Sequence, residues 1–81
     1  MGISGLAEAD FLVGVRQTMR SLTKDRVSMV YFAGDADRRV IAPVLELCQV
    51  KGVPVREADS MAELGRAAGI DVGTAVIALL K

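Results

Sequence analysis

The chain of 81 residues contains no histidine and a single cysteine, Cys48. Without histidine it lacks the commonest general base, and a Ser-His nucleophilic pair cannot form. One thiol allows no internal disulfide, and a zinc site would have to rely on carboxylates for its remaining ligands, which is unfavourable. We therefore expect no enzymatic activity, no metal and no cofactor, and a reducing cytoplasmic location.

The sequence also lacks long apolar runs and an excess of either charge. No stretch approaches the roughly 18 apolar residues of a membrane helix, so no membrane partner is expected. Its 10 Lys and Arg residues balance 10 Asp and Glu residues, for a formal net charge of +0. Proteins that coat nucleic acid usually carry a basic excess, so non-specific coating is disfavoured. A local basic face that recognises a compact shape through few contacts stays open.

Hydrophobic residues make up 52% of the chain, enough for the core of a single domain over residues 1–81. Helical and strand patterns alternate along it, which favours an α/β fold with helices on both faces of one mixed sheet. The predicted helices cover 4–9 (with Ser4 as N-cap), 15–23, a segment ending before Gly52, and 60–68. The predicted strands cover 11–13, 27–33, 53–58 and 74–80.

The third helix follows the break Gly34-Asp35-Ala36-Asp37. Two carboxylates with one residue between them are a weak signal for a metal or catalytic pair. The simpler interpretation makes Asp37 the N-cap of the helix and Asp35 a turn residue. Pro43 is best accommodated in a first turn, so either the regular helix begins near Ala42 or an irregular turn precedes it.

A basic row lies on the helix over 15–23. Arg16, Arg20 and Lys24 are spaced four residues apart on one face, with Arg26 just beyond. The simplest interpretation is a solvated helix face. The alternative is a face that contacts phosphates and bases, beginning at Gly14 and Val15, where free N–H groups of the helix start can also meet a phosphate.

The loop Ile70-Asp71-Val72 precedes the last strand. Aliphatic residues in such a loop by default anchor it to the core, but they could instead pack against a base or an RNA backbone. The segment before it, Ser60 to Glu63, matches a capping box with Ser60 as N-cap and Glu63 three residues later.

Three segments together carry a resemblance to a known family: 14–20 (Gly-Val-Arg-Gln-Thr-Met-Arg), 33–37 (Ala-Gly-Asp-Ala-Asp) and 59–73, with its Glu-Leu-Gly and Ala-Gly steps. The chain resembles the ribosomal kink-turn RNA-binding family of the L7Ae and L30e type, and within it the bacterial YbxF-like branch. The resemblance covers essentially the whole chain. It implies a three-layer α-β-α sandwich around a mixed four-stranded sheet.

The resemblance also implies a function and a set of RNA contacts. The expected partner is a kink-turn, an RNA motif in which tandem sheared G·A pairs lie next to a bulge. The kink-turn could belong to ribosomal RNA, to the ribosome or to a regulatory RNA. No DNA partner is expected. Where the archaeal pattern has Gly-x-Asn-Glu-x-x-Lys, this chain has Gly14, Arg16, Gln17 and Arg20. The implied RNA-binding residues are Gly14, Val15, Arg16, Gln17, Arg20, Lys24, Asp35, Ile70, Asp71 and Val72.

A second hypothesis keeps the fold and changes the partner. Members of one fold family can serve different functions, so the domain could be a protein-interaction module without kink-turn binding. The neutral net charge favours this slightly, as do four acidic residues: Glu8, Asp10, Asp35 and Asp37.

Overall fold

The computed structural model describes residues 10–81. Within that range strands and helices alternate as predicted. They are β1 (Phe11–Val13), α1 (Val15–Thr23), β2 (Val27–Ala33), α2 (Arg38–Lys51), β3 (Val55–Ala58), α3 (Met61–Ala67) and β4 (Val76–Leu80). The helix predicted over 4–9, with Ser4 as its N-cap, lies outside the described residues.

The four strands form one mixed sheet in the order β1-β4-β2-β3. β4 runs antiparallel to β1 and β2, whereas β2 and β3 are parallel. β4 is apolar throughout because it lies in the middle of the sheet, where Val76, Ile77 and Ala78 are each 0% exposed. Helix α1 packs against α2, and α3 packs against β2, β3 and β4. The predicted α/β fold, a three-layer sandwich around a mixed four-stranded sheet, is confirmed.

Helix α2 begins at Arg38, so the predicted start near Ala42 or irregular first turn is wrong. The Asp37 side chain accepts the Arg39 N–H at 2.9 Å and caps the helix, as its sequence position indicated. Pro43 then falls in the second turn, where it removes one hydrogen bond, the one that would reach the carbonyl of Arg39. Its ring is exposed. The burial of Ile41 on the opposite side helps to hold the helix against this loss.

Two strands start later than the sequence pattern indicated. β3 begins at Val55 and β4 at Val76, two residues after the predicted starts. Pro54 has no N–H to donate, and it joins the sheet only through its carbonyl, which accepts the Val30 N–H at 3.0 Å. Gly52 ends α2 in the left-handed conformation (φ 72°), as expected for a residue after a helix C-terminus.

Candidate functional site

One end of the sheet gathers all three described helix starts. β1, β2 and β3 finish at this end and β4 begins there, because β4 is antiparallel to β1 and β2 while β3 is parallel to β2. Each helix follows one of these three strands directly, so α1, α2 and α3 all start here. The loop 70–73 leads into β4 at the same end. We call this the apical end; the helix dipoles give it partial positive charge.

Helix α1 starts without a side-chain cap. Its N-cap is Gly14, with φ 108° and ψ 154°, and the first backbone bond runs from the Thr18 N–H to the Gly14 carbonyl at 3.2 Å. The N–H groups of Val15, Arg16 and Gln17 therefore have no partner inside the helix. Glycine is favoured at this position for its positive φ and not for lack of space, since an added Cβ would meet nothing within 4 Å.

The other two helix starts are capped by side chains. Asp37 caps α2, and in α3 the Ser60 Oγ accepts the Glu63 N–H at 3.0 Å. Glu63 Oε1 in turn accepts the Asp59 N–H at 3.1 Å, so the predicted capping box is present with its return bond one residue earlier than Ser60. Among the described helices, α1 is thus the one whose first N–H groups are left open.

Three predicted site residues lie together at this open start. Arg16, Gln17 and Arg20 are all exposed, whereas the opposite side of α1 buries Thr18, Ser21 and Leu22. Spacings of three and four residues make Arg20 a surface neighbour of both Gln17 and Arg16. Neither arginine forms an ion pair with another described residue. The group can therefore offer guanidinium, amide and backbone N–H donors to one ligand.

Lys24 is not part of this group. It is the C-cap of α1, eight residues and about 12 Å along the helix from Arg16. Arg26 follows it, and its carbonyl accepts the Lys81 N–H at 2.9 Å, just past the last residue of β4. Lys24 and Arg26 thus lie at the end of the sheet opposite the apical end.

Part of the apolar surface of the loop 70–73 is exposed to solvent. Val72 is 70% exposed and Asp71 is exposed, whereas Ile70 is partly buried. Ile70 donates its N–H to the Gly65 carbonyl at 3.1 Å and thereby ties the loop to α3. The loop is also close in space to the start of α1, because Gly14 donates its N–H to the carbonyl of Val76, in the strand that the loop enters, at 2.9 Å.

Asp35 lies at the apical end but is occupied within the protein. Its Oδ1 accepts the Met61 N–H, the first amide of α3, at 2.8 Å. Asp37 forms an exposed ion pair with Arg39 at 3.5 Å, which contributes little to stability. Met61, which is 37% exposed, was not singled out from the sequence. Its position after the N-cap Ser60, with an N–H that the helix leaves free, is the signal that could have identified it.

The remaining chemistry is sparse. In residues 10–81 no group of three or more His, Cys, Asp or Glu side chains is arranged to hold a metal ion. Burial raises the pKa of the Cys48 thiol, which keeps it neutral and unreactive. No helix in the described range combines the length and apolar character needed to cross a membrane.

Comparison with known sequences gives a consistent picture. The profile of the family described as "Ribosomal protein L7Ae/L30e/S12e/Gadd45 family" matches residues 6–81. An RNA-binding protein of Halalkalibacterium halodurans is 43% identical over 72 residues, which span 89% of this chain and 88% of that protein. The RNA-binding protein YbxF of Geobacillus stearothermophilus is 37% identical over 76 residues, 94% of this chain and 93% of that protein.

Solved structures agree with the fold. The 15.5 kD RNA-binding protein of Giardia lamblia superposes with a TM-score of 0.84 at 27% identity, over 95% of this chain and 64% of that one. A protein of unknown function from Bacillus halodurans C superposes with a TM-score of 0.83 at 25% identity, over 99% of this chain and 79% of that one.

Proposed function

Because the chain belongs to the ribosomal protein L7Ae/L30e/S12e/Gadd45 family, we propose that it is an RNA-binding protein that recognises kink-turn RNA. The observation that carries the proposal is the open start of α1, where Arg16, Gln17 and Arg20 are exposed and the first backbone N–H groups have no side-chain cap. The proposed target is a duplex in which tandem sheared G·A pairs lie beside a bulge. It could belong to ribosomal RNA, to the assembled ribosome or to a regulatory RNA in the cytoplasm.

The chemistry of the α1 start suits such a target. A guanidinium can donate two hydrogen bonds to the O6 and N7 atoms of guanine or to a phosphate, and Gln17 can donate and accept at a base edge. Sheared pairs leave guanine edges accessible that ordinary RNA helices hide in a deep, narrow groove. The free N–H groups of Val15, Arg16 and Gln17 together form a site of partial positive charge that favours phosphate oxygens.

The loop 70–73 supplies a different kind of contact. The exposed side chain of Val72 offers an apolar surface for an unstacked bulge nucleotide, and Asp71 offers acceptor oxygens. Unpaired bases that are splayed out of a helix commonly pack against protein side chains in this way. Asp35, at the same end, completes the proposed set either as a direct contact or through its bond to Met61.

The neutral net charge shapes the proposed binding mode. With few phosphate contacts, the affinity would fall only moderately with salt concentration, and shape would dominate over charge. Lys24 would reach the RNA only if the duplex extends along α1 for about 12 Å beyond Arg16. The protein would stabilise the kinked form because it binds that form more tightly than the extended one.

Alanine variants test where the RNA binds. Arg16→Ala and Gln17→Ala should each weaken binding to a kink-turn duplex about 5- to 150-fold, the range for one lost base readout of about 1–3 kcal/mol. If the duplex extends along α1 as far as Lys24, Lys24→Ala should mainly reduce the salt dependence. Arg26→Ala is the matched control, an exposed arginine at the opposite end of the sheet. If Arg26→Ala weakens binding as much as Arg16→Ala, the proposed interface at the apical end is incorrect.

A second candidate function, a protein-interaction module, is favoured by an apolar row on α2. Val40 is 43% exposed and Val50 79% exposed, and the exposed Pro43 lies between them on the same helix face. Exposed apolar surface of this kind commonly marks a protein contact. A partner that the wild type retains from nuclease-treated lysate and that Val50→Glu loses would support this function. Equal retention by both proteins would contradict it.

A further inference from the structure

Asp35 makes a contact that its position in the sequence does not suggest. Its carboxylate accepts the Met61 N–H at 2.8 Å and so joins the loop after β2 to the first residue of α3, 26 residues later. The Met61 amide has no partner within the helix, because the first N–H groups of any helix lack one. The Ser60 hydroxyl serves Glu63 instead, so Asp35 is the acceptor that completes the cap of α3.

Met61 in turn supports the loop 70–73. Its carbonyl accepts the Thr74 N–H at 3.1 Å. Gly73 packs directly on the Met61 backbone, where a Cβ added to Gly73 would lie 3.0 Å from the Met61 carbonyl carbon and oxygen. A change in the position of Met61 would therefore be transmitted to the residues that immediately follow Val72.

The other side of the loop rests on Gly65. The Gly65 carbonyl accepts the Ile70 N–H at 3.1 Å. A Cβ added to Gly65 would collide with the Val72 carbonyl oxygen and would lie 3.0 Å from the Gly73 Cα. The loop is thus clamped on α3 at two points, Met61 and Gly65, and the start of α3 is itself held by Asp35.

We propose that Asp35 is a positioning residue for RNA recognition, an inference that rests on the proposed function. It holds the start of α3 so that Ile70, Asp71 and Val72 are presented in one conformation before the RNA arrives. The carboxylate reaches the RNA interface through Met61 and not by its own contact with RNA. Pre-forming the loop in this way improves affinity because less conformational freedom is lost on binding.

A double-mutant cycle tests the inference. Asp35→Ala should weaken kink-turn binding by up to about tenfold, the effect if the whole contribution of this internal hydrogen bond goes into holding the loop for RNA. Combining it with Val72→Ala should add little to the larger single effect, because both changes disable the same loop. Combining it with Arg16→Ala should multiply the two effects, since Arg16 lies on α1. Asp35→Asn should restore near wild-type affinity, because the amide oxygen still accepts the Met61 N–H.

Two results would overturn the inference. One is wild-type affinity of Asp35→Ala. The other is a pair of findings: the losses of affinity from Asp35→Ala and Val72→Ala multiply fully in the double variant, and Asp35→Asn binds RNA as weakly as Asp35→Ala. Together these would indicate that the carboxylate contacts RNA directly.

Amide hydrogen exchange in the free protein provides a readout without RNA. The Met61 and Thr74 amides should exchange faster in Asp35→Ala than in the wild type, and at the wild-type rate in Asp35→Asn. Unchanged exchange in Asp35→Ala would overturn the positioning role.

If the wild type does not bind a kink-turn duplex, the proposed function fails, whereas the exchange experiment still decides whether Asp35 positions the loop. Should Asp35→Ala not fold, the comparison of Asp35→Asn with the wild type retains both readouts: weakened binding or faster exchange in the Asn variant would then count against the inference.

Discussion

Replacing Gly65 with alanine should displace the loop 70–73 from α3. Gly65 is buried, and a Cβ at this position would collide with the Val72 carbonyl oxygen and press on the Gly73 Cα at 3.0 Å. Both obstacles are backbone atoms, so no side-chain rotation can relieve the contact. Either the loop moves outward or α3 shifts toward the sheet, where Leu64 is already fully buried.

The expected cost follows from two opposing terms. Overpacking of a well-filled site destabilises by about 1–3 kcal/mol. Alanine in a helix interior recovers about 1 kcal/mol relative to glycine. Together the two terms give a net loss of about 0–2 kcal/mol in the free energy of unfolding. We expect the upper half of this range because both obstacles are backbone atoms, and the affinity for a kink-turn duplex should fall because Val72 is no longer held in place.

The assay compares this variant with one of similar stability. Ala62→Gly, at an exposed position in the first turn of the same helix, should cost up to about 1 kcal/mol through helix propensity and places no atom against the loop. Urea unfolding should show both variants destabilised, and calorimetric titration should show weakened RNA binding in Gly65→Ala only. A Gly65→Ala variant that is as stable as the wild type, or an Ala62→Gly variant that loses the same affinity, would refute the reasoning.

Three further predictions concern the core and the caps. Thr18→Val should raise the free energy of unfolding by about 1 kcal/mol in urea titrations, because the Thr18 hydroxyl is buried with no hydrogen-bond partner among the described residues; a loss would contradict this. Burial raises the pKa of Cys48, so the contribution of this thiol to stability is complete below the ordinary thiol pKa of about 8.5 and is lost as the pH rises above that value. Above that pH the free energy of unfolding should therefore fall less steeply in Cys48→Ala than in the wild type. Equal slopes in the two proteins would count against this prediction. Asp37→Ala should destabilise the protein by about 1 kcal/mol and Asp37→Asn by much less, because the Arg39 N–H loses its acceptor only in the alanine variant. Thermal unfolding of the two variants and the wild type measures the difference.

Local signals in the sequence predicted most of the fold. The capping roles of Ser60 and Asp37 and the end of the helix before Gly52 depend on neighbours within three residues, and all three are confirmed. The apolar run of β4 likewise predicts its central place in the sheet. Pro43 misled because intrinsic preference is a weak guide where a strong N-cap and a buried face favour the helix.

The candidate site was predictable only in part. Helical spacing groups Arg16 and Arg20 with Lys24, and the family resemblance adds Gln17. The structure places Arg16, Gln17 and Arg20 together and exposed, and Lys24 at the other end of α1. The bond from Asp35 to Met61 was not predictable, because it joins residues far apart in the sequence and depends on how β2 and α3 meet at one end of the sheet. The RNA contacts of Arg16, Gln17, Arg20 and Asp35 stay predictions. So do those of Lys24 and the loop 70–73.

The central claim is that the protein recognises the kinked shape set by the G·A pairs. The most direct measurement is calorimetric titration of the wild type with a kink-turn duplex and with the same duplex in which the two G·A pairs are replaced by Watson–Crick pairs. We expect tight binding to the first and affinity reduced by roughly a hundredfold or more for the second, since each lost base readout costs about 1–3 kcal/mol. Equal affinity for the two duplexes would contradict the proposed recognition.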